Sequence, residues 1–186
     1  SATTVISSTK DSYAKELQTL FSSQIFRVYT SSDILGVQIG GAIKNVIAIA
    51  SGICDGLNLG DNTQAALVSR GLNEILELSK VYDFNNKTLY GLSGVGDLVG
   101  TCYSKHSRNR QLGVLLGEGK TLNKAKKLIN MVSEGVNTTK ILHSIILNNN
   151  LKMPICMEIY NILFKDCNPN ESINKLMTRK LTKESC

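Results

Sequence analysis

The sequence predicts a mostly α protein: an all-helical body preceded by a short βαβ piece of an α/β domain. Three observations carry that reading. Two short β-branched segments flank an amphipathic helix within the first 33 residues. Nothing after Ser32 reads as a strand. From there on, Gly, Asn and Pro punctuate a succession of segments with helical periodicity. At 186 residues, with 42% apolar content and 19% charge, the chain can bury a real core and has the balance of a soluble globular protein.

In order, ATTVIS (2–7) is the first strand, DSYAKELQTLFSS (11–23) a helix capped by Asp11 or Ser12, and IFRVYT (25–30) the second strand. Parallel strands joined by a helix normally lie in a sheet covered on both faces, and two alone make a poor sheet. Residues 1–33 are therefore expected to be the trailing end of a larger α/β domain. The opening SATTVIS, which lacks a Met, points the same way, towards a fragment or a processed chain. Residues 34–186 are expected to form an all-α domain, with helices near 34–53, 61–82, 107–118, 121–131, 134–149, 154–165 and 170–181. Asp61, Ser107, Thr121 and Asn170 are the expected N-caps, and Pro154 suits a first helical turn.

The 21 Lys and Arg against 15 Asp and Glu leave a net charge of +6, which favours anionic partners. Lys124, Lys126 and Lys127 raise the possibility of nucleic-acid binding. They alternate with Asn and Ala on what reads as a solvated helix face, with no aromatic platform beside them, so no nucleic-acid partner is predicted. Five Cys without a CxxC pair suit reduced thiols in a cytoplasm. His106 and His143 stand far apart, so no metal site is predicted. Gln38, Lys44 and Asn45 interrupt the longest apolar run, so neither a membrane span nor a signal peptide is expected.

The stretch GVQIGGAIKNVIAIASGI (36–53) is nearly all apolar or Gly, which makes Lys44 conspicuous. On a helix its neighbours are Gly40, Gly41, Ile47 and Ala48, so small residues leave a groove beside the ammonium. A snorkelling lysine is the bland alternative. Desolvation would lower the pKa of a buried lysine towards neutrality and suit it to acid/base work. A second constellation is GLSGVGDLVGTCYSKHSRNRQLG (91–113). Its Gly91, Gly94 and Gly96 suggest a flexible turn that brings the Asp97 carboxylate to a lysine or a hydroxyl, with a simple helix cap as the alternative. Ser107, Arg108, Asn109 and Arg110 open a helix, where free N–H groups, the dipole and a guanidinium make a phosphate seat.

These two motifs, with FRVYTSSDILGVQ, MVSEGVNTTK and MPICMEIYNILF, resemble the C-terminal domain of bacterial NAD(P)-dependent glycerol-3-phosphate dehydrogenases across essentially the whole chain. The resemblance implies an all-helical dehydrogenase domain behind the last βαβ piece of a Rossmann-type domain. The implied reaction interconverts dihydroxyacetone phosphate and sn-glycerol 3-phosphate with NAD or NADP, for glycerophospholipid synthesis, in a cytoplasmic homodimer. Lys44 matches the family's proton acceptor and Asp97 an acidic site residue. Asn45 and Thr101 match further substrate-site positions, and Ser107, Arg108 and Asn109 the substrate-contacting triplet. Arg108, Val132 and Glu134 match positions at the dinucleotide. Family members carry a glycine-rich phosphate loop, yet no G-x-G-x-x-G occurs in this chain. A chain of this extent is thus expected to hold most of the substrate pocket, to bind dinucleotide weakly and to be inactive alone. A helical domain of another lysine-dependent dehydrogenase, acting on hydroxy acids or ketopantoate, is the alternative, as is a non-catalytic fragment.

Overall fold

The structure is a computed structural model that describes residues 1–129 and 133–181. Its elements are strand β1 (Ala2–Ser7), helix α1 (Asp11–Phe21), strand β2 (Phe26–Ser31), then helices α2 (Ile34–Gly56) and α3 (Asp61–Glu77) with a 3₁₀ turn at Leu78–Lys80. After these come α4 (Asn86–Leu89), a π-helical turn at Leu92–Gly96, α5 (Asp97–Tyr103), α6 (Arg108–Gly117), α7 (Leu122–Ile129), α8 (Glu134–Asn149), α9 (Pro154–Phe164) and α10 (Pro169–Met177). A mostly helical chain behind a short parallel pair of strands is what the sequence predicts.

β1 and β2 pair in parallel from Ala2 opposite Phe26 to Ser7 opposite Ser31. α1 packs on them through buried Ala14, and Gln18 Nε2 donates to Val28 O at 2.8 Å. The helix leaves Leu20 and Phe21 exposed, as is the following Ile25. No side chain caps α1, whose N-cap is Lys10 rather than Asp11 or Ser12. Likewise Gly60, not Asp61, caps α3, and Asn168 caps α10 while Pro169 opens it. Ser107 and Pro154 hold their expected places.

α2 is the axis of the helical body. Its Val46, Ile47, Ala48 and Ile49 are wholly buried, and side chains the size of Val or Ile contribute about 1.5–3 kcal/mol each when removed from water. Contrary to the expectation from Gln38, Lys44 and Asn45, this 23-residue helix is long and apolar enough to cross a membrane by composition alone. It is instead the core helix, with 56% of its most apolar stretch buried by the rest of the fold.

α6 lies closest against α2 because glycines face each other. A Cβ at Gly52 or Gly56 would collide with the α6 backbone at Arg110 and Val114, and one at Gly113 with Ile49 O on α2. A Cβ at Gly117 would sit 2.6 Å from Ile53 O. At the middle of α2, an added Cβ at Gly135 in the first turn of α8 would meet Asn109 Oδ1 at 2.7 Å and Asn45 O at 2.8 Å. These close approaches bring the first turns of α6 and α8 to the middle of α2, beside Lys44 and Asn45.

Candidate active site

Lys44 is on α2 and Asp97 is the first residue of α5. Lys44 Nζ donates to Asp97 Oδ1 at 2.5 Å, with the side chains 21% and 40% exposed. The sequence places Asp97 on a flexible glycine turn, and the structure corrects this. Leu92–Gly96 is a π-helical turn running straight into α5, and Gly94 fits there because a Cβ would collide with Leu89 O. Asp97 therefore projects from a rigid helix start. Thr101, one turn on, donates to the same Oδ1 at 3.4 Å.

The groove beside Lys44 divides in two. Gly40 is a packing residue, where a Cβ would collide with Ser93 O, whereas a Cβ at Gly41 would meet nothing within 4 Å. Gly41 opens onto a cavity of about 500 Å³ that Lys44, Asn45, Thr101, Ser107, Arg108, Asn109 and Glu134 also line. The surroundings of the lysine are accordingly polar, not the mostly apolar pocket the helix sequence suggests. Asp97 faces an adjoining cavity of about 480 Å³ together with Thr3, Thr4, Val5 and Ser93. Gly41 and Gly100 line both cavities, so the ion pair stands near the seam between them.

The far wall is held by a buried chain of hydrogen bonds. Asn109, 8% exposed, accepts at Oδ1 from Ser133 Oγ at 2.5 Å and from Gly135 N at 3.0 Å. Its Nδ2 donates to Asn45 Oδ1 at 3.0 Å, and Asn45 Nδ2 donates to Gly41 O at 3.3 Å. Two donors at Oδ1 settle which end of the Asn109 amide faces Asn45. Ser107 caps α6 by accepting from Arg110 N at 3.3 Å. Arg108 is exposed at the helix start and lines the cavity. Arg110, which the sequence groups with the phosphate seat, turns away instead and pairs with Asp55 at 2.5 Å.

The structure thus gathers Lys44, Asn45, Asp97, Thr101, Ser107, Arg108, Asn109 and Glu134; Val132 lies outside the described residues. Sequence reasoning missed Gly100, Ser104 and His106, which also line the cavity, and Ser133, which orients Asn109. His106 stands one residue before the Ser-Arg-Asn triplet, a proximity that could have signalled it. Ser133 carried no such mark.

Residues 33–174 match the family described as NAD-dependent glycerol-3-phosphate dehydrogenase C-terminus. The chain is 48% identical over 180 residues to a glycerol-3-phosphate dehydrogenase (NAD(P)+) of Pelotomaculum thermopropionicum, an alignment covering 97% of this chain and 52% of the relative. It is 49% identical over 177 residues to the enzyme of the same name from Fusobacterium nucleatum, covering 95% and 53%. The fold superposes on the crystal structure of glycerol-3-phosphate dehydrogenase from Coxiella burnetii with a TM-score of 0.91 at 38% identity, over 95% of this chain and 55% of that one. The chain spans about half the length of these relatives. The match over residues 33–174 and the shared helical architecture around Lys44 and Asp97 lead to one conclusion: the chain belongs to the NAD-dependent glycerol-3-phosphate dehydrogenase family and carries its C-terminal domain.

Proposed function

We propose that this chain supplies the substrate-binding and proton-transferring half of an NAD(P)-dependent sn-glycerol-3-phosphate dehydrogenase, reducing dihydroxyacetone phosphate to sn-glycerol 3-phosphate and catalysing the reverse. The observation that carries the reading is the Lys44–Asp97 ion pair at 2.5 Å, beside a cavity whose opposite wall is the N-terminus of α6 with Arg108 and Asn109. That helix start and the exposed guanidinium suit a phosphate dianion. The Asn45 and Asn109 amides, held by the Ser133 chain, line the same cavity and offer polar groups to the substrate oxygens.

In this reading Lys44 Nζ holds its proton against the C2 oxygen and transfers it as charge develops there; in the oxidation it takes the proton back. Asp97 orients the ammonium, and Thr101 steadies Asp97. Arg108, Ser107 and the helix start grip the phosphate, so that remote binding energy orients the reacting carbonyl. A nicotinamide, when bound, supplies or accepts the hydride at C2. The cavity shared by β1, Asp97 and the side-chain-free surfaces of Gly41 and Gly100 has room for a flat ring, and Glu134, Arg108 and Val132 are assigned to the dinucleotide on the family pattern. Residues 1–33 are then the trailing βαβ of a dinucleotide-binding domain and residues 34–186 the substrate domain; exposed Leu20, Phe21 and Ile25 support a covering layer over the small sheet. The same reading makes the protein a cytoplasmic homodimer that serves glycerophospholipid synthesis.

The test is substrate choice in the complete enzyme. Dihydroxyacetone phosphate should be reduced, and ketopantoate should not. Arg108→Ala should cost far more in kcat/KM for dihydroxyacetone phosphate than for unphosphorylated glyceraldehyde. Equal losses on both would remove the phosphate role.

A further inference from the structure

Farther along α2, away from the catalytic cavity, the fold holds a second and chemically different one. Ile53 is nine residues beyond Lys44, about 14 Å along a helix axis. It forms one wall of a cavity of about 150 Å³ between α2, α3, α9 and α10, with Ile155, Ile159, Ile162 and Ile173 around it. The lining is mainly aliphatic, and an apolar cavity of about this size accommodates a molecule of about six carbons.

Two of the polar atoms in this wall are buried. Ser172 is 1% exposed, and among the described residues neither its Oγ nor the buried Glu158 Oε2 has a hydrogen-bond partner. The other carboxylate oxygen of Glu158 accepts from Asn161 Nδ2 at 3.2 Å, so Oε2 is the oxygen left over. Buried hydroxyls and carboxylates are satisfied in nearly all folded proteins, because an unmet group loses its full hydration. Both residues line this cavity, and the remaining acceptor asks for a donor from whatever fills it.

The charges narrow the choice. Arg179 also lines the cavity, which disfavours a cationic head group, while the Glu158 carboxylate disfavours an anionic one. A neutral hydroxyl meets both needs, since it donates to Glu158 Oε2 and accepts from Ser172 Oγ. We propose that this cavity is a binding site for a small neutral alcohol with an apolar body of about five to seven carbons.

The experiment follows the isoleucine methyl NMR signals of the full chain while cyclohexanol, 1-pentanol or the hydroxyl-free cyclohexane is added. Cyclohexanol should shift the methyls of Ile159, Ile162 and Ile173 saturably, and cyclohexane should bind more weakly. Ser172→Ala, which leaves an aliphatic wall intact, should weaken cyclohexanol by about five- to tenfold, the worth of one hydrogen bond, without changing cyclohexane. Ala66→Leu, at an exposed position of α3 on the cavity lining, should abolish binding of all three. The proposal fails if no alcohol binds up to its solubility limit. It fails equally if cyclohexane binds as well as cyclohexanol, if Ser172→Ala or Ala66→Leu changes nothing, or if binding emerges only in a chain ending at Leu181.

Discussion

Lys44 and Asp97, 53 residues apart in sequence, meet at 2.5 Å between Nζ and Oδ1. A pair exposed to this extent is worth little to the fold, about 0–1 kcal/mol. Its geometry makes sense as an arrangement for chemistry, with α2 and α5 each contributing one charge from a rigid helix.

Lys44→Met in the complete enzyme is accordingly expected to lower kcat by about 10²-fold or more, while chemical denaturation shifts by less than about 1 kcal/mol. Steady-state kinetics and urea unfolding on the same preparation separate the two effects. Undiminished turnover would sink the acid/base assignment.

The adjacent glycines of α2 should behave oppositely. Gly40→Ala drives a methyl into Ser93 O and is expected to destabilise the protein by about 1–3 kcal/mol. Gly41→Leu points into open space, so thermal stability should hold or rise slightly through better helix propensity. The leucine should nonetheless fill the cavity and cost at least about tenfold in kcat/KM, equal to about 1.4 kcal/mol. Melting curves and kinetics of the two variants check the contrast.

Glu74 reaches from α3 to cap α9, accepting from Ile155 N at 2.7 Å and Cys156 N at 3.0 Å. Burial pushes its carboxyl up to about 7, against the pull of those two donors and of Arg179. Because the folded state holds this proton more tightly than the unfolded chain does, stability is greatest below about pH 4.5 for this group and declines as pH rises to about 7. The decline is expected to reach about 2–3 kcal/mol. Asp33 and Glu77, whose carboxyls are held below their usual range despite partial burial, lose their contributions only at more acidic pH, so the two windows separate. Urea unfolding at pH 5 and pH 8 should show the slope in the wild type and its loss in Glu74→Gln.

Thiol reactivity offers a check on packing. Burial pushes Cys54 up to about 11 and Cys102 up to about 12, and raises Cys156 well above its ordinary value. Cys167 is only half-buried. Iodoacetamide at pH 8 should therefore label Cys167 far faster than these three, read by peptide mass mapping, with Cys54, Cys102 and Cys156 modified only after denaturation.

By itself the sequence determined the helical architecture, the βαβ opening and the family. Helical periodicity, glycine and proline punctuation and the runs around Lys44 and Ser107 are local signals that survive reading in one dimension. It also marked Lys44, Asp97 and the α6 start, because a cation in an apolar helix and an Arg-Asn pair after a cap are chemically conspicuous wherever they fold. Tertiary structure alone decided which partners they meet. The π-helical turn before Asp97 depends on Gly94 pressing against Leu89, and the division of labour between Gly40 and Gly41 depends on what stands opposite each. Arg110 went to Asp55 and Arg108 to the cavity because two residues along a helix project about 200° apart, on opposite sides. Ser133 became part of the site only through a hydrogen bond to a residue 24 positions away. Such contacts join atoms distant along the chain, and no local pattern encodes them until the core around α2 has formed.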